Sequence, residues 1–138
     1  MLVYRALAAA ALGAYAPYAL LRSLAGRRRL GDVRGRLGLA RWPDLEGGIW
    51  IHAVSVGEIG VARHVLAAIE RARPGSRFGV SATTAAGREL AERAFSGKAD
   101  VFAYPFDLAG PVERSLGQTR AGLVLLVETE IWPLFLER

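Results

Sequence analysis

The sequence predicts a parallel α/β sheet, on three observations. After Gly47-Gly48, short runs rich in β-branched and aromatic residues alternate with stretches whose apolar residues recur at helical spacing. The connections between them are short, which suits right-handed β-α-β crossovers. The last run, Leu123 to Val127, is continuously apolar, the form expected of a strand whose sheet is covered on both faces.

Each element follows from its own residues. Ile49-Trp50-Ile51 opens a strand that runs to near Val54. Ile59, Val61, Ala62, Val65, Leu66 and Ile69 then mark a helix, which Pro74-Gly75 stops. Phe78-Gly79-Val80 is a second strand, and Ala85 to Phe95 a second helix ending before Gly97. Val101 to Tyr104 is the third strand, terminated by Pro105. Pro111 suits the first position of a third helix. The fourth strand is Leu123 to Val127, and Ile131-Trp132-Pro133 begins another helix that Arg138 cuts short.

The chain has 138 residues, 52% hydrophobic and 22% charged, enough for one domain with a short appendage and too apolar for a disordered chain. With no cysteine, disulfides, thiolate zinc sites and cysteine nucleophiles are all excluded. Only His52 and His64 are present, so a site built from several imidazoles is excluded too. Hydroxyls, carboxylates, arginines and backbone amides are left to carry the chemistry.

Charge divides the chain. Residues 1–46 carry eight arginines against Asp32, Asp44 and Glu46, which accounts for the whole formal charge of +5. The remainder is neutral and offers no cationic face, so nucleic acid is not an expected partner. The leader, residues 1–25, is nearly all apolar, with sixteen uncharged residues from Ala6 to Leu21. That is short of the roughly 20 that span a bilayer, unless Arg5 and Arg22 snorkel. The alternative to a spanning helix is an amphipathic helix packed on the domain or lying flat on anionic lipid. Ala14-Tyr15-Ala16 resembles a signal-cleavage site, but Pro17 directly after it argues against cleavage. Arg22 and Arg27 to Arg29 follow the apolar run, which by the positive-inside rule keeps the domain cytoplasmic. An arginine-rich connector, residues 26–46, leads to the domain at 47–138.

Ligands of open α/β sheets bind at the carboxyl ends of the strands. Ser55-Val56-Gly57-Glu58, Thr83-Thr84, Asp107 and Glu128-Thr129-Glu130 all fall there. Each has a capping alternative: Ser55 and Thr84 can accept from orphan helix amides, and Glu58 suits the positive end of a helix dipole. Glu128 and Glu130 point the same way in extended chain, so they can act as a pair, or one can cap the last helix. Ser55 sits in a loose nucleophile elbow, Ala53-Val54-Ser55-Val56-Gly57, but only His64 lies downstream and no acid stands between them in the required order. A serine-hydrolase triad cannot be completed. Gly57-Glu58-Ile59-Gly60 matches no nucleotide-binding loop. His52 reads as a hydrogen-bonded structural histidine.

Taken together, Ile49 to Glu58, Thr83-Thr84-Ala85-Ala86-Gly87, Tyr104-Pro105-Phe106-Asp107 and Val127-Glu128-Thr129-Glu130-Ile131-Trp132-Pro133 resemble the N-terminal half of 3-deoxy-D-manno-octulosonic acid (Kdo) transferases. Arg36-Leu37-Gly38 and the apolar leader fit as well. The family's turn proline is replaced by Ala85, and the asparagine usual after Trp-Pro by Leu134. The resemblance implies a GT-B glycosyltransferase whose Rossmann-like N-terminal domain holds the lipid A precursor, while a C-terminal domain, absent here, binds CMP-Kdo. It implies Glu58 as general base and Glu128 as a further functional position; with the strand-edge residues Ser55, Gly57, Thr83, Thr84, Asp107 and Glu130, Glu128 is a candidate for acceptor binding. No metal and no cofactor are implied, and the expected location is the cytoplasmic side of the inner membrane. This chain alone is expected to be inactive. Another lipid glycosyltransferase, or a non-catalytic membrane-tethered module binding an anionic lipid or a protein, are the alternative readings.

Overall fold

A computed structural model describes residues 4, 6, 10, 11, 13, 14, 33–127 and 132–138. Four parallel strands, β1 (Ile49–His52), β2 (Phe78–Ala82), β3 (Asp100–Ala103) and β4 (Leu123–Leu126), alternate with α1 (Val56–Ala72), α2 (Ala85–Ala94), α3 (Ala109–Thr119) and α4 (Pro133–Leu136). The order across the sheet is β3-β2-β1-β4. The chain winds outward from β1 through β2 to β3, then returns across α3 to place β4 on the other side of β1. The winding direction therefore reverses between β1 and β4, and their carboxyl ends flank the crevice where such sheets bind ligands. Register is direct: Ile51 lies beside Val80 and Leu125, and His52 beside Ser81 and Leu126.

Alternation along the strands divides the core into two layers. Ile49 and Ile51 of β1 with Phe78 and Val80 of β2 pack under Ile59, Ala62 and Leu66 of α1 and Ala91 of α2. On the other face Trp50, Phe102 and Tyr104 pack with Val112 of α3, Phe135 of α4, and Trp42 and Leu45 of the segment entering β1. Trp50 is fully buried, its ring 5.1 Å from Phe102 and 5.2 Å edge-on from Phe135. Such pairs add about 0.5–1.5 kcal/mol beyond area burial. The entering turn needs glycine, because a Cβ on Gly48 would stand 2.3 Å from the carbonyl oxygen of Arg77.

β4 is covered on both faces, with Leu125 and Val127 packed against the α1 layer and Val124 against the Trp50 layer. The cover is partial: Leu123 is exposed and Val124 to Leu126 are half-buried, β1 being the one strand beside β4 among the described residues. Two sequence expectations are corrected. α3 begins at Ala109, two residues before Pro111, which is tolerated in a first turn whose N–H groups lack intrahelical partners. Ser55 precedes α1 without capping it through its side chain. Among the described residues no helix is long and apolar enough to cross a membrane.

Candidate active site at the carboxyl edge of the sheet

Past β1 the chain turns sharply into α1, and this turn places Glu58 one residue beyond the exposed Gly57. Glu58 is only 5% exposed despite its charge. Its side chain folds back over the helix start, where Oε2 accepts the backbone N–H of Val54 and Oε1 accepts the Ser55 hydroxyl at 2.7 Å. The carboxylate is thus fixed by two donors beside the positive end of a helix dipole. Ser55 donates to Glu58, while Nδ1 of His64 lies 2.9 Å from the carbonyl oxygen of Gly60 in its own helix.

The β2 end contributes Thr83 and Thr84. Thr84 caps α2 as its residue type suggests, accepting the Gly87 N–H at 3.0 Å and reaching the Val54 carbonyl at 3.3 Å. This second contact ties the β2 turn to the β1 turn. Thr83 Oγ1 is buried without a hydrogen-bond partner among the described residues, as are His52 Nε2 and Trp132 Nε1. Leaving such a group unmet costs about 1–3 kcal/mol. All three gather at the edge that carries Glu58.

His52 is buried and hydrogen-bonded, as the sequence suggests. Its Nδ1 lies 2.9 Å from Ser81 Oγ, which also accepts the Trp50 indole N–H at 2.7 Å. Its ring stacks on Tyr104 with centroids 3.7 Å apart. Desolvation pushes the imidazole pKa down to about 4, against the weaker raising influence of Ser81 and Glu58.

Asp107 lies in the loop between β3 and α3, and its carboxylate is buried. Oδ1 accepts the N–H of Phe135 at 2.9 Å, and Oδ2 accepts the N–H of Leu134 at 3.1 Å and the hydroxyl of Tyr4 at 2.6 Å. Asp107 therefore caps α4 from 27 residues away, a partnership no local sequence pattern announces. Arg36 braces the same loop: its Nε donates to the Tyr104 carbonyl at 3.1 Å, its own carbonyl accepts the Phe106 N–H at 2.9 Å, and its guanidinium lies 4.2 Å over the Phe106 ring. Glu128 and Glu130 lie outside the described residues. No group of three or more metal-ligating side chains occurs among the described residues.

The edge thus brings together a held carboxylate, a cluster of hydroxyls and a braced loop, from three different connections of one sheet. Residues 28–138 match the family described as 3-deoxy-D-manno-octulosonic-acid transferase (kdotransferase). The chain belongs to this family. It is 30% identical over 107 residues to a 3-deoxy-D-manno-octulosonic acid transferase of Haemophilus influenzae, covering 78% of this chain and 25% of that protein. It is 34% identical over 105 residues to a 3-deoxy-D-manno-octulosonic acid transferase of Bordetella pertussis, covering 72% of this chain and 24% of that protein. The chain spans about a quarter of the length of these curated Kdo transferases. The resemblance first read from four motifs is therefore a family relationship.

Proposed function

We propose that this chain is the acceptor-side part of a Kdo transferase of GT-B type, with Glu58 as the general base. The observation that carries the reading is the burial and double anchoring of Glu58 at the carboxyl edge. In the proposed reaction Glu58 takes the proton from a hydroxyl of the lipid A precursor, lipid IVA. The hydroxyl oxygen bonds to the anomeric carbon of Kdo as the bond to CMP breaks, and CMP leaves with the electron pair. A carboxylate suffices as the base when the proton leaves late in bond formation.

Ser55, Gly57, Thr83, Thr84, Glu128 and Glu130 line the acceptor side in this reading, and Asp107 serves it by holding α4. CMP-Kdo is bound by a second domain outside this sequence, so the segment alone is inactive. Residues 1–25 anchor the protein to the cytoplasmic face of the inner membrane, and residues 26–46 connect the anchor to the domain. The arginines after the apolar leader support that placement.

The test is Kdo transfer from CMP-Kdo to a tetra-acylated lipid A precursor by the chain joined to a donor-binding half. Glu58→Gln keeps the side-chain shape and removes the base, so kcat falls on the order of 10²–10⁴-fold while the protein stays folded. Undiminished turnover would reject Glu58 as base. Lipid binding without transfer by the joined native protein would favour the non-catalytic module.

A further inference from the structure

Tyr4 and Asp107 stand 103 residues apart in sequence, yet the phenol donates to Oδ2 at 2.6 Å. The same carboxylate accepts the amides of Leu134 and Phe135, so one buried side chain joins the leader, the loop after β3 and the first turn of α4. We infer that the Tyr4–Asp107 hydrogen bond couples the position of the leader to the start of α4, and that uptake of the leader by an anionic lipid surface breaks it.

The leader is built for such an exchange. Tyr4 is half-buried, whereas Ala6, Ala10, Ala11, Gly13 and Ala14 are exposed. Apolar surface left in water at one end of a segment, with Arg22 and Arg27 to Arg29 following it in sequence, matches the apolar interior and anionic headgroups of a bilayer. Among the described residues, the Tyr4 hydrogen bond to Asp107 ties this end to the domain. The phenol stays a donor over the neutral range, since the hydrogen bond to Asp107, burial and the nearby negative charge push its pKa up to about 12. Lipid competes for the apolar surface of the leader and leaves the carboxylate with its two amide donors alone.

The consequence reaches the carboxyl edge. α4 follows directly on Trp132, whose ring lies 6.2 Å from that of Tyr104, and Tyr104 stacks on His52. A carboxylate free to shift at the start of α4 changes how Trp132 sits against Tyr104. The lipid half of the inference rests on the membrane reading of the leader; the coupling of Tyr4 to α4 does not.

Amide hydrogen exchange of the 138-residue chain at Leu134 and Phe135 tests both halves, with flotation on phosphatidylglycerol-containing vesicles reporting lipid binding. Without lipid, Tyr4→Phe exchanges these two amides several-fold faster than the native chain, with β1 and β2 unchanged. Vesicles bring the native chain to the same faster rate and leave Tyr4→Phe unmoved. Asp107→Asn accelerates both amides with or without lipid. Native rates in Tyr4→Phe would overturn the coupling, and native rates in Asp107→Asn would overturn the clasp itself. A chain that floats without any change at these amides would overturn release by lipid. A chain that does not float would overturn the lipid half and the membrane reading together, while the comparison with Tyr4→Phe still decides the coupling.

Discussion

Ser55 donates its hydroxyl hydrogen to Glu58 Oε1 at 2.7 Å, reversing the part a serine usually plays before a helix. In a common capping box the serine accepts an amide and the glutamate three residues on reaches back to the serine N–H. Here the glutamate reaches one residue further, to Val54, and the serine side chain serves the glutamate. The turn is organised around the carboxylate, as a site would require, and helix capping comes second.

Ser55→Ala therefore acts through Glu58. It leaves Oε1 of a buried carboxylate without its hydroxyl donor, and urea unfolding shows a loss of about 1 kcal/mol. Ser55→Thr keeps the hydroxyl and restores most of it. Equal stability of the alanine variant and the native chain would mean that the serine does not hold Glu58 in solution.

His52 makes stability depend on pH. Its folded pKa lies near 4, below the ordinary 6.5, because burial disfavours the charged ring. The unfolded chain therefore binds the proton first as pH falls. The stabilisation is complete above pH 6.5 and is lost as pH falls from 6.5 towards 4, by at most about 3 kcal/mol. Urea unfolding across that window shows the decline in the native chain and a flatter profile in His52→Gln. An imidazole that titrates near 6.5 in the folded protein, followed by NMR, would refute the burial argument.

The sequence disclosed those features that depend on neighbours along the chain. Strands β1 to β4 and helices α1 and α2 emerge from periodicity, and the Thr84 cap from residue type and position, because each is decided within a few residues. The exposure of Leu123 was not legible, since a central and an edge strand can carry the same apolar run and only the strand order separates them. Nor was the capping of α4 by Asp107, where the partners are brought together by the return of the chain across α3. Of the candidate site, the position of Glu58 could be read from the turn and helix around it. Its backward fold onto Val54 and Ser55 could not, because side-chain direction within a turn is set by burial.

Two glycines of the edge respond oppositely to alanine. Gly87 is buried, and a Cβ there meets Thr84 Oγ1 at 2.9 Å, the Val54 carbonyl oxygen at 3.2 Å and the Ala82 Cβ at 3.3 Å. Gly87→Ala pushes apart the contacts that join the β1 and β2 turns, and costs about 1–3 kcal/mol. At Gly57 a Cβ meets only Ser55 Oγ, at 4.0 Å. Gly57→Ala gains helix propensity, about 0.5 kcal/mol in a first turn. Thermal melts should therefore shift in opposite directions. Because Gly57 is exposed beside Glu58, its added methyl also narrows the approach to the carboxylate, so the acceptor KM of an active form rises although the fold is more stable. A stabilised Gly57→Ala with native KM would remove Gly57 from the acceptor side. A destabilised one would show that the turn is constrained by more than helix propensity.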